Sequence, residues 1–197
     1  MKRFLICLDN GHGLGSPKGS PDGKIKEWKY TREVVNILAA NLQSMGYEVY
    51  KVTPEDTDIS LKERVRRVNV QCKKYGSKNT LLISIHLNAA GNGGSWLSAR
   101  GFSAHIAHNA SSRSKKLAKL LWEEALKNNM QGNRYVPAEK YIVQNLAMCR
   151  DTNCCAVLTE NLFQDNKEDV ERLLTVEGLQ SIVRVHIAAI ERYTLGA

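Results

Sequence analysis

The chain has 197 residues, 43% of them hydrophobic, and no low-complexity stretch, so it can bury a core and reads as one domain, 1–197, with no room for a second module. Its formal charge of +8, gathered at Lys62 to Arg67, Lys73 to Lys78 and Arg113 to Lys119, favours an anionic partner, although solvated helix faces carry such clusters too. No recognition motif, Cys₂His₂ spacing or interleaved aromatic strand supports nucleic acid, and no apolar run nears the roughly 18 residues of a membrane span, so a soluble protein is expected.

Strand and helix patterns alternate along the chain. Lys2 and Arg3 lead into a short apolar run, Phe4 to Leu8, which enters D-N-G-H-G without a small-residue cleavage site, so Phe4 to Asp9 reads as a strand, not a signal peptide. A glycine-rich loop follows through Gly23. Trp28, Thr31, Val35, Leu38, Leu42 and Met45 recur at three- and four-residue steps, which predicts a helix stopped by Gly46. Tyr47 to Val52 is a second strand. Ser60 to Tyr75 is a helix with Leu61, Val65, Val68 and Cys72 on one stripe, a capping box of Ser60 and Glu63, and Gly76 as its end. Thr80 to His86 is nearly all apolar, as in a parallel strand covered on both faces.

Gly101 to Ala107 is another strand and Ser112 to Lys127 a basic amphipathic helix with Leu117, Leu121 and Ala125 inward. The stretch from Gln131 to Arg150 is less regular, with Tyr141 to Cys149 as an edge strand. Ala156 to Thr159 is a short buried strand, and helices follow at Lys167 to Leu174 and Val176 to Tyr193. The alternation predicts a single α/β domain with a mixed, mainly parallel twisted sheet flanked by helices.

Ligands of such sheets bind beyond the carboxyl ends of the strands. His12, His86 and Glu160 all lie at predicted strand ends. His12 sits between two glycines that permit a tight backbone path, and Glu160 follows a strand where an acid is costly unless paired or used. Two histidines and a carboxylate leave zinc one open position, the layout of catalytic sites. For the carboxylate, Glu27 and Glu33 compete; a helix carried back to Glu27 puts it on the flank of the apolar stripe, whereas Glu33 faces solvent, so Glu27 is preferred. Glu160 then remains as a base. His186 shares a face with Leu179, Val183 and Ile190 and is assigned to the core or surface, while substrate contact is open to His105 and His108. Cys7, Cys72, Cys149, Cys154 and Cys155 form no disulfide framework; Cys7 and Cys72 behave as small hydrophobes, and a catalytic thiol at Cys149 or Cys154 lacks a histidine nearby.

The chain resembles the type-3 zinc-dependent N-acetylmuramoyl-L-alanine amidases, peptidoglycan-cleaving catalytic domains of bacterial autolysins and phage endolysins. The landmarks run in order from Ile6 to about Ile190: D-N-G-H-G, Glu27 and its helix ending in M-G-Y-E-V, T-P-E-D-T-D-I-S-L-K-E-R-V with Asn69, S-I-H-L-N-A, Gly101-Phe102, and A-V-L-T-E-N-L-F with Asn166. Asn10 stands in place of the common Pro and Pro54 in place of Arg, and Thr159 and Asn161-Leu162 where the family more often shows Val and a small-Gly-Phe sequence.

The resemblance implies zinc on His12, Glu27 and His86, Glu160 as the catalytic carboxylate, and cleavage of the amide between the lactyl group of N-acetylmuramic acid and L-alanine. It implies action on the cell wall, with anionic wall polymers as further partners of the positive charge. The expected setting is a stand-alone domain made in the cytoplasm and released by another agent, as in phage, or one trimmed from a secreted protein. A zinc carboxypeptidase or other amidohydrolase, or a non-catalytic wall-binding module of the same fold, are the alternatives.

Overall fold

The computed structural model describes residues 4–196, so Lys2 and Arg3 lie outside it. In chain order the elements are β1 (Leu5–Asn10), α1 (Glu27–Ser44), β2 (Glu48–Lys51), α2 (Leu61–Tyr75), β3 (Thr80–Asn88), β4 (Phe102–Ile106), α3 (Ser112–Lys127), β5 (Ile142–Val143), α4 (Ala147–Arg150), β6 (Cys155–Phe163), α5 (Lys167–Leu173) and α6 (Val176–Leu195). The strands form one sheet in the order β2-β1-β3-β6-β4-β5. Its first four members are parallel, β4 runs antiparallel to β6, and β5 is parallel to β4. The sheet is therefore mixed and mainly parallel, as expected.

Side chains alternate across the strands, and the two faces are covered unequally. Ile6, Leu8, Leu81, Ile83, Ile85 and Val157 pack in one core with Val35 and Leu38 of α1, Leu117 and Leu121 of α3 and Ile182 of α6. On the other face Leu5, Cys7, Leu82, Ala156 and Leu158 form a smaller core with Val68 and Cys72 of α2 and Met148 and Cys149 of α4. Further along the strands this second face turns polar, with Asp9, Ser84, His86, Ser103 and Glu160 in the alternating positions. No single helix among the described residues is long and apolar enough to cross a membrane.

Several sequence expectations need correction. β6 does not stop at Thr159 but runs to Phe163, so Glu160 lies inside a strand, paired with His86 of β3 and Ser103 of β4. One extra residue bulges out of β6 between the His86 and Asn88 pairings, and Leu162 there takes φ 72°. Tyr141 to Cys149 is not one edge strand. Only Ile142–Val143 pairs, and the chain then turns into α4, which buries Met148 and Cys149 in the smaller core. In α2, Leu61 is exposed and Arg64, Val68 and Cys72 are the buried residues. The capping box is half made: Ser60 Oγ accepts from the Glu63 N–H, but the Glu63 carboxylate is taken by Arg66 and Arg67.

Arg64 is where the basic cluster stops being a solvated face. Its guanidinium is buried and donates to Asp9 Oδ1 at 3.0 Å, Asp58 Oδ1 at 3.0 Å and the carbonyls of Asn10 and His12 at 2.6 and 2.9 Å. Asp9 in turn accepts from Ser84 Oγ at 2.6 Å. Arg64→Met would leave the Asp9 carboxylate buried and uncompensated, so unfolding stability measured in denaturant is expected to fall by about 3–5 kcal/mol. A loss below about 1 kcal/mol, the scale of an exposed pair, would show that the site does not carry that load.

Candidate metal centre

The loop after β1 sets the first histidine. His12 adopts φ 60°, the left-handed region that non-glycine residues seldom occupy. The neighbouring glycines are needed for room rather than for their own dihedrals: a Cβ on Gly11 would lie 2.5 Å from His86 Nδ1, and one on Gly13 2.1 Å from the Asp58 Cα. What holds the turn is the His12 carbonyl, which accepts from Arg64 Nη2 at 2.9 Å and from Arg32 Nη1 at 3.1 Å. Arg32 is anchored by the Glu55 and Trp28 carbonyls, and Thr31 Oγ1 donates to the Gly11 carbonyl at 3.2 Å.

Glu27 is the first residue of α1, where the helix dipole favours a carboxylate, and it is 1% exposed. Glu33 is exposed, in line with the helical-face argument. Glu27 Oε1 accepts the Leu87 N–H at 3.1 Å and meets His86 Nδ1 at 3.1 Å; Oε2 accepts from Gln164 Nε2 at 2.8 Å and lies 3.5 Å from His12 Nε2. The two imidazoles stand edge to face with centroids 5.3 Å apart. One ligand atom from each of His12, Glu27 and His86 falls within 4.8 Å of the others. Two imidazole nitrogens and a carboxylate oxygen, with no thiolate, suit a borderline divalent ion and leave a coordination position free.

The charges follow from this packing. Burial works to raise the Glu27 carboxyl, but the hydrogen bond from His86 and the charges of both histidines hold it below the usual carboxylate range. For His86 burial opposes protonation, yet the Glu27 bond and the charges of Glu27, Glu160 and Asp9 prevail and bring it up to about 9. Burial lowers His12, against the pull of Glu27. Glu160 is pushed up to about 7 by burial, against the charge of His86; its Oε2 is shut off from solvent and has no hydrogen-bond partner among the described residues.

Thus the four residues singled out from the sequence meet at one end of the polar face. The other candidates do not join them. His105 is buried with Nε2 2.9 Å from Ser103 Oγ, and burial lowers it to about 4; His108 is exposed on a turn. His186 is a core residue, bonded to Thr159 Oγ1 and the Ile182 carbonyl. All five cysteines are free, and burial pushes Cys149 up to about 12, far from a reactive thiolate. Sequence reasoning missed Arg32, Arg64 and Gln164. A charged residue in register with Val68 and Cys72 on α2 was the available signal for Arg64; Gln164 had none.

Residues 6–192 match a family model described as N-acetylmuramoyl-L-alanine amidase. An endolysin of Bacillus phage SPP1 is 30% identical over 190 residues, which cover 94% of this chain and 64% of that protein. An N-acetylmuramoyl-L-alanine amidase of Bacillus licheniformis is 28% identical over 191 residues, 95% of this chain and 67% of its own length. The chain therefore spans less than two thirds of the phage relative. The crystal structure of an N-acetylmuramoyl-L-alanine amidase from Clostridium difficile 630 shares the fold, with a TM-score of 0.82 at 21% identity over 98% of this chain and 97% of that one.

Two outcomes are expected when the protein is titrated with a divalent transition metal. Glu27→Ala should abolish binding, Glu33→Ala should leave it unchanged, and Gln164→Ala, which removes a donor to the Glu27 carboxylate, should weaken it about 10–100-fold. The second concerns pH. Because His86 holds a proton up to about 9, a metal must displace it, and apparent affinity should rise about tenfold per pH unit between pH 6 and 8. Calorimetry in buffers of different ionisation enthalpy counts the released proton; a pH-independent affinity would exclude His86 as its source.

Proposed function

Because this chain belongs to the N-acetylmuramoyl-L-alanine amidase family, we propose that it hydrolyses the amide joining the lactyl group of N-acetylmuramic acid to L-alanine in peptidoglycan, with zinc held by His12, Glu27 and His86. The observation that carries the reading is the meeting of these three side chains, from the β1 loop, the start of α1 and β3, beside a carboxyl on the adjoining strand. Bound there, the ion would supply Lewis-acid chemistry, polarising the scissile carbonyl and easing deprotonation of water at neutral pH.

The protein's own groups account for the remaining steps. Glu27 stays anionic, and its two oxygens are oriented by the Leu87 N–H and the Gln164 amide, so it serves as a fixed ligand and not as a base. Glu160 differs: it is half-buried, one of its oxygens has no partner among the described residues, and its affinity for protons lies near neutrality, which suits a group that takes a proton from water and returns it to the leaving amine. The β3–β6 pairing of His86 with Glu160 keeps base and metal site in one register.

The wall is also the anionic partner that the net charge calls for. Arg64, Arg66 and Arg67 are engaged with acids, and Arg113 with Tyr193 and the backbone at Ser77 and Lys78, so these do not count toward it. Lys73, Lys115 and Lys119 are exposed and form no ion pair among the described residues, and would hold the enzyme to wall polymers.

Digestion of purified peptidoglycan is expected to release new L-alanine amino termini and no new reducing sugar ends. Free D-alanine would instead mean a carboxypeptidase, and reducing ends a glycosidase. Glu160→Gln keeps size but cannot accept the proton, so turnover should fall by about 10²-fold or more with metal content unchanged. Loss of metal in that variant would make Glu160 a ligand.

A further inference from the structure

The segment 131–140, between α3 and β5, takes no part in the chemistry above, yet it sets a cation near Glu160. Gly132 packs so closely on the chain ahead of β4 that a Cβ there would lie 1.8 Å from the Arg100 carbonyl oxygen. Asn133 donates to the Ser98 carbonyl at 2.8 Å and accepts the Arg100 N–H at 3.0 Å. The backbone leading to Arg134 is therefore tied to a second loop. The Arg134 guanidinium lies over the Phe163 ring, 5.7 Å from its centroid, and its charge bears on Glu160, three residues earlier in β6.

Arg134 has no acidic partner among the described residues. It also walls a groove of about 650 Å³ together with Arg100, Lys140, Trp122 and Tyr135, and no acidic side chain lines that groove. Three cations in a groove that no acid lines are the complement of an anionic ligand. The N-acetylated sugars of the substrate are neutral once the lactyl carboxyl is tied up in the amide, which leaves the carboxylates of the peptide.

Resting on the amidase reading, we infer that Arg134 is a specificity-determining residue that receives a free carboxylate of the substrate's peptide in the groove that it walls. A guanidinium offers two parallel N–H donors to a carboxylate, and stacking on Phe163 holds its plane, which a lysine could not reproduce.

The test uses two soluble muramoyl peptides, one with a free carboxylate on the residue after L-alanine and one with that group as its carboxamide. The wild-type protein should cleave the acid with a KM about tenfold below that of the amide. Arg134→Gln should raise KM on the acid about tenfold, to the level of the amide, with kcat and metal content little changed, and Arg134→Lys should recover part of the difference. Failure of the wild type to cleave either peptide would remove the amidase reading and this inference with it. Cleavage of both, with the acid-to-amide KM ratio unaltered by Arg134→Gln, would overturn the inference alone. An equal fall in kcat on both peptides would also overturn it, since Arg134 would then act through Glu160.

Discussion

The carbonyl oxygen of His12 is shared by two guanidinium groups, and the geometry of the site depends on that contact. His12 is held at φ 60°, a conformation that costs an L-residue about 1–2 kcal/mol. Arg32 from α1 and Arg64 from α2 hold it there, so two helices on different sides of the loop aim one imidazole. Arg64 is itself a buried charge that must be compensated, and Asp9, at the end of β1, supplies the compensation. The strand, its following loop and both helices are thus joined by one electrostatic unit.

The same logic explains the contrast between Glu27 and Glu160. Both are carboxyls beside His86, Glu27 buried and Glu160 half-buried. Glu27 has hydrogen-bond donors on both oxygens and remains an anion, whereas Glu160 has an oxygen without a partner and is shifted toward the protonated form. Placing the two side by side separates a ligand from a base without any difference in residue type. The polar end of the sheet makes this feasible: Asp9, Ser84 and Ser103 are buried there, Asp9 beneath Arg64 of α2, while His86 and Glu160 stay half-buried at the rim.

Leu162 shows how far a local departure can be absorbed. It occupies a left-handed position in the β6 bulge, in the segment where the family resemblance favours a glycine. The side chain is 1% exposed and packs in the larger core. Burial of a leucine contributes about 1.5–3 kcal/mol, enough to offset the backbone strain. The bulge in turn lets β6 continue past Glu160 and present Gln164 to Glu27.

Periodicity in the sequence was sufficient for the helices α1, α3 and α6, because their buried faces are mainly apolar and repeat at helical spacing over many residues. Strand ends brought His12, His86 and Glu160 to one rim, since parallel strands deliver their ends to the same side, and the helical face selected Glu27 over Glu33. Periodicity failed where polar residues do the packing. Arg64 was grouped with its solvated neighbours although it shares a face with Val68 and Cys72, and the polar end of β6 did not read as strand. Residue type and spacing in this chain determined which side chains could form the site. Only the tertiary structure decided which oxygen is satisfied, which arginine is buried and which cation stays free, because those depend on partners tens of residues away that local pattern does not encode.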